Sequence, residues 1–230
     1  MKNILILILL FASTAFAQHT FELKDASKYF DVKVQVAECD NSSCQGAATF
    51  SFYKKGGTKA YQVIKLPDSY VQLSDDDGKP LVNTTRLYDD QSIVNVDDFN
   101  FDGMEDVAIC DGTNGSYNGP SYRIYLSSRA AGKFVFNQKF TDLAYHLGMF
   151  IVDKKKKELE TFDKSGCCWH ITERYKVVNN RPVKVYEMVE DATGFDEKAN
   201  KRIVETTTKI LVGGKWKKTV KTERIKDDEN

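Results

Sequence analysis

The stretch "YFDVKVQV" sets Phe30, Val32, Val34 and Val36 on one side of the chain and polar residues on the other. That two-residue period is the mark of a half-buried strand. "ATFSFY" and "AYQVIKL" repeat the pattern with aromatic and β-branched residues, and "KKGG" and "DDDGKP" supply turns between or after them. Further along, "DVAIC", "SYRIYLS", "KFVFN", "GMFIVD", "HITERYKVV" and "VKVYEMV" read as strands, with "VNNRP" as a turn. Only Gln138 to His146 hints at a short helix. "KRIVETTTKILV" and "KWKKTVKTERIK" flank Gly213-Gly214, a spacing that predicts a two-residue hairpin turn. The chain therefore reads as all-β with antiparallel sheets.

The pattern also divides the chain. A short apolar run, Ile4 to Phe11, follows Met1-Lys2 and ends at Ala15-Phe16-Ala17. These features predict a signal peptide over residues 1–17 and a periplasmic or secreted mature protein. The run is too short to span a bilayer, which takes about 20 apolar residues, and no other segment is long enough. Polar and turn-forming residues gather at "SDDDGKP". They set a boundary between an N-terminal β module, 18–80, and a larger β domain, 81–190. A linker and terminal hairpin would fill 191–230.

Formal charge is zero overall but unevenly spread. Residues 18–111 hold 17 acidic and 9 basic side chains, and residues 112–230 hold 16 acidic and 23 basic. Such halves compensate each other in a folded protein. The basic run Lys154–Lys157 meets Glu158 and Glu160 at once, so it reads as a solvated turn, with no nucleic acid partner. Export favours disulfides. Cys39 and Cys44 bracket "DNSS" and are expected to bond. Cys110 is expected to pair with Cys167 or Cys168, leaving one thiol over, because adjacent cysteines fit disulfide geometry poorly. Cys167, Cys168 and His170 lack the fourth ligand and the spacing of a zinc site.

The acidic segment "DDFNFDGMEDVAI" carries the most specific chemistry. With Asp98 at position 1, Asn100, Asp102 and Asp106 fall at positions 3, 5 and 9, Gly103 at 6 and the Met104 carbonyl at 7. These are donor positions of an EF-hand-like loop, and they predict one bound Ca2+. Position 12 is Ile109, not the bidentate glutamate, and "SIVNV" and "DVAI" flank the loop as strands. Affinity near the extracellular range, about 10⁻⁴ to 10⁻³ M, is expected. The arrangement resembles the strand–loop–strand calcium site of FG-GAP-type propeller repeats.

Behind that loop come "CDGTNGSYNGPSYRIYL" and "TFDKSGCCWHITERYKV". The order of the three segments, across Ser92–Val189, resembles periplasmic immunity proteins that neutralise lysozyme-like hydrolases and are related to invertebrate-type lysozyme inhibitors. The resemblance implies a partial propeller-like, inhibitor-like β domain that blocks a muramidase cleft. It assigns Tyr117 the central contact, with Ser116 and Asn118 beside it and Lys164, Ser165 and Gly166 as a second loop at the rim. A Gly-, Ser- and Asn-rich loop with an aromatic is also what contact loops use. The second reading is a calcium-dependent binding or adhesion module with an FG-GAP-like loop. An enzyme is not expected: His19, His146 and His170 have no partner motif, and no nucleophile elbow or H-E-x-x-H occurs.

Overall fold

A computed structural model describes residues 19–40, 42–74, 78–84 and 91–226. The expected signal peptide lies outside the described residues, as does part of the boundary segment at 74–80. Three antiparallel sheets form among the described residues. In the first, β1 (His19–Leu23), β2 (Phe30–Cys39), β3 (Ser43–Lys54) and β4 (Ala60–Leu66) lie in chain order, and β5 (Tyr70–Gln72) pairs back onto β3. His19 is the first residue of β1. Register sets Val32, Val34 and Val36 opposite Phe52, Phe50 and Ala48, and all six are buried. The apolar face of the alternating pattern is the face the core takes.

The second sheet runs β6 (Val94–Asp97), β7 (Asp106–Gly112), β8 (Ser121–Ser128), β9 (Lys133–Phe136). The third is a six-stranded meander: β10 (Ile151–Asp153), β11 (Glu158–Ser165), β12 (Trp169–Val178), β13 (Arg181–Asp196), β14 (Lys201–Val212), β15 (Lys215–Lys226). β13 continues to Asp196 through residues expected to form a linker. Gly213 and Gly214 turn β14 into β15 with φ of 59° and 75°, left-handed values that cost glycine nothing. The helix α1 covers Gln138–Thr141, capped by the Asn137 side chain accepting from the Phe140 N–H. Each sheet, as described, keeps an open strand order, so a propeller-like closure is not seen.

One hydrophobic cluster crosses the 80/81 boundary, joining Val34, Phe50 and Val71 to Val107, Tyr122, Phe140 and Phe150. Phe134 of β9 packs edge-on against Phe30 and Phe52, centroids 5.4 and 5.1 Å apart, and so keys the second sheet onto the first. Gln62 of β4 reinforces this: its amide donates to the Phe134 carbonyl at 2.9 Å and accepts the Phe134 N–H at 2.8 Å.

Candidate functional site

The acidic loop joins β6 to β7. Phe99 anchors it, buried and edge-on to Phe150 with centroids 5.4 Å apart. Phe101 and Gly103 take positive φ, 61° and 87°, which curls the chain. Asp98 accepts the N–H groups of Asp102 and Gly103 at 2.9 and 2.8 Å. Asp102 accepts the Met104 N–H at 2.9 Å, and the Asn100 amide donates to Asp102 and to Asn180, both at 3.0 Å. Asp106 is fully buried. One of its oxygens accepts Phe99 and Asn100 N–H at 2.9 and 3.3 Å, and the other accepts Ser127 N–H at 2.7 Å. Burial pushes its carboxyl up to about 7, opposed by those three donors and aided by the charge of Asp102.

Among the described residues, no group of three or more His, Cys, Asp or Glu side chains gathers as a metal site. The expectation of a ready calcium cage at Asp98, Asn100, Asp102, Met104 and Asp106 is corrected accordingly. The side chains turn onto the loop's own N–H groups, because an acceptor-only carboxylate is satisfied by main-chain donors within reach.

The second set of predicted residues lies where the β7–β8 connection meets the β11–β12 turn. Ser116–Asn118 form one 3-10 turn in which Tyr117 and Asn118 both have φ of 57°. Gly115 and Gly119 close it, the Gly115 N–H donating to the Gly119 carbonyl at 2.9 Å, and the Ser116 N–H reaches the His146 carbonyl at 2.9 Å. A Cβ on Gly115 would sit 2.8 Å from that carbonyl oxygen, so only glycine fits. Tyr117 is 60% exposed. Its hydroxyl accepts the Gly166 N–H at 2.6 Å, and Lys164 Nζ lies 5.1 Å from its ring centroid. Ser116 Oγ donates to Asp163 at 3.0 Å, and His146 Nδ1 lies 3.4 Å from the same carboxylate. Ser116, Tyr117, Lys164 and Gly166 therefore share one surface, while Asn118 and Ser165 are exposed beside them.

Cysteine chemistry departs from expectation next door. Cys39 and Cys44, opposite each other in β2 and β3, are bonded. Cys167 is bonded to its neighbour Cys168 at the β11–β12 turn, and Cys110 is a free thiol. The proposed bridge from Cys110 to this pair is corrected: Cys110 sits inside β7, 1% exposed, while Cys167 is at an exposed turn. Burial pushes the Cys110 thiol up to about 12, which keeps it protonated and inert. His170 stacks on Phe162 and lies 3.8 Å from Glu190.

Sequence reasoning missed a polar cluster beneath the Tyr117 turn. Buried Asp111 accepts from Ser121 Oγ at 2.6 Å, Arg123 Nε at 3.1 Å and Tyr145 Oη at 2.6 Å. An aspartate closing an otherwise apolar strand, "VAICD", was its signal. The cluster pins both ends of the 111–121 connection.

Compared with known proteins, the sequence matches no family model and no curated protein. A solved structure described as a Xanthomonas type IV secretion system related protein is similar in fold, with a TM-score of 0.67 and 23% identity over 90% of this chain and 94% of that one. At this identity the likeness concerns the fold. It overturns the resemblance to lysozyme-inhibiting immunity proteins, since the matching fold is described as secretion-related. The muramidase partner and the assignment of Tyr117 as a cleft plug are withdrawn with it. No helix among the described residues is long and apolar enough to cross a membrane.

Proposed function

We propose that this chain is an exported binding module, calcium-dependent through its acidic loop, that recognises a protein partner beside a secretion apparatus. One observation carries the reading: Tyr117 stays exposed while a second loop holds its hydroxyl and its ring. A rigid, amphipathic aromatic that loses little freedom on binding is what a contact surface needs. The secretion context rests on fold likeness alone.

The calcium part rests on donor chemistry. Asp98, Asn100, Asp102, Asp106 and the Met104 carbonyl are all hard oxygen donors on one curled loop, and burial makes the Asp106 charge costly without a nearby cation. We also read β6–β9, headed by this loop, as one blade of a partial propeller, with the 18–80 module packed onto it through a shared core. No catalytic role is proposed.

The test is capture of a partner from envelope extract by the parent and by Tyr117→Ala, each with calcium and with EGTA. Truncating a central aromatic costs roughly 2 kcal/mol or more, about 30-fold in affinity. The variant should lose the partner at unchanged melting temperature. Calcium at millimolar level should raise the melting temperature of the parent, but not of Asp102→Ala. A Tyr117→Ala protein that keeps the same partner at parental affinity sinks the binding surface. A melting temperature indifferent to calcium, in protein first stripped of metal, removes the calcium dependence.

A further inference from the structure

A groove of about 490 Å3 opens between the first sheet and the β8–β9 turn, away from the residues of the Tyr117 surface. Its floor is Phe30 and Phe134, and its walls are Tyr61 and Tyr29, 39% and 62% exposed. Burial against this floor pushes the Tyr61 phenol up to about 12. Two large aromatics left facing solvent over an apolar floor are a contiguous patch, and patches of that kind mark binding surfaces. The volume falls in the range of ligand pockets, about 300–1,000 Å3.

The rim is cationic. Lys54, Arg129 and Lys133 line it, and among the described residues none of the three forms an ion pair. Arg129 Nε rests on the Met104 thioether at 3.2 Å, a weak acceptor that leaves its charge uncompensated. Glu105 is the carboxylate among the lining residues, and it already accepts a hydrogen bond from Ser27 Oγ. Other lysines are paired with carboxylates, as Lys55 is with Asp31 and Lys184 with Glu173.

We propose that this groove binds an acidic, extended segment of a partner protein, which seats one aromatic side chain between Tyr29 and Tyr61. Its flanking carboxylates meet Lys54, Arg129 and Lys133. An aromatic buries about 150–250 Å2 and favours edge contacts with other rings, which this floor offers. Arg129 presents a planar fork suited to carboxylate. A nucleic acid strand fits less well. Its continuous phosphates need a long basic track, and here the cations border the acidic loop at Gly103 and Glu105. Spaced carboxylates on a peptide avoid that repulsion.

The probe is a fluorescein-labelled, end-capped peptide, Asp-Glu-Trp-Glu-Asp, titrated by anisotropy. Saturable binding is expected, weakened at least tenfold when alanine replaces the tryptophan. A similar loss is expected in the double variant Arg129→Glu, Lys133→Glu, both positions being exposed, and in Tyr61→Ala. Tyr117→Ala should bind the peptide like the parent, which separates this site from the surface proposed above. Should Tyr61→Ala lower the melting temperature, the surface double variant alone decides. The proposal is overturned by any of four results: no saturation at millimolar peptide, equal binding by the double variant, equal binding of the alanine peptide, or free N-acetyltryptophan competing at the peptide's own concentration. An oligothymidylate that binds more tightly than the peptide overturns it in favour of single-stranded nucleic acid.

Discussion

Strand β15 pairs without a break and β7 carries a register shift near Cys110, yet it is their surroundings that differ most. β7 pairs on both sides, with β6 and β8, and all seven of its residues are buried. β15 pairs on one side with β14, through twelve residues, and all twelve are exposed. Pairing makes a strand in both places, but burial makes only the first one stable. In β15 the main-chain ladder acts almost alone, and some cross-strand neighbours oppose it, since Lys209 faces Lys218 and Lys201 faces Lys226. Local opening should therefore cost far less at β15 than at β7.

The sharpest way to break this comparison is Ile109→Ala, in the centre of β7 and fully buried. Removing a buried isoleucine side chain costs roughly 2–5 kcal/mol. At about 2–4 °C per kcal/mol for a chain of this size, the melting temperature should fall visibly. Urea unfolding measures the loss directly, and a change below about 1 kcal/mol would mean β7 is less tightly packed than described.

An intermediate effect should come from the ion-pair group that ties β12 to β14. Lys184 bonds Glu173 and Glu187 at 2.6 and 2.7 Å, and Lys209 bonds Glu187 at 2.6 Å. The Lys184 and Lys209 hydrogen bonds hold the Glu187 carboxyl below its ordinary value of 4.5. A lowered carboxylate contributes stability that is present above the unfolded value and lost as the pH falls through the folded one. The parent should thus exceed Glu187→Gln at neutral pH, and the gap should close below about pH 4.5. A gap that stays constant as the pH falls below about 4.5 would contradict the charge origin of the effect.

The smallest change belongs to β15. Val220→Ala, at a half-exposed position, should shift stability by less than about 0.5 kcal/mol. Hydrogen exchange should show β15 amides exchanging well before those of β7. Equal protection in the two strands would dissolve the contrast.

How far the sequence carried this picture follows the same divide. Alternation at Phe30–Val36 located β2, and Gly213-Gly214 located the last hairpin, because period and turn chemistry are local. The end of β13 was missed. "DATGFD" carries polar residues and a glycine and reads as a linker, yet the strand absorbs the irregularity as a register shift between Asp191 and Gly194. A Cβ on Gly194 would meet the Ile203 Cβ at 3.2 Å, so a larger residue there would push its neighbour aside by a few tenths of an ångström. The groove was invisible for another reason. Tyr29, Tyr61 and Phe134 come from three distant segments, and only folding makes them neighbours. For the acidic loop the spacing of the donors was legible, but which partner each carboxylate takes was not, because the loop's own N–H groups compete for them.

Gln62 has a consequence for how the molecule behaves in crowded solution. An unpaired strand edge is a template on which another chain can add, and β9 ends its sheet with such an edge. By spending both its donor and its acceptor on the Phe134 main chain, Gln62 occupies the groups that an incoming strand would need. Among the described residues β15 has no comparable cover and relies on its lysines, whose charges repel a second copy of the same edge. Replacing Gln62 by leucine would thus unlock an edge that is otherwise closed, and the protein would be expected to self-associate from that side as the tie between the two sheets loosens.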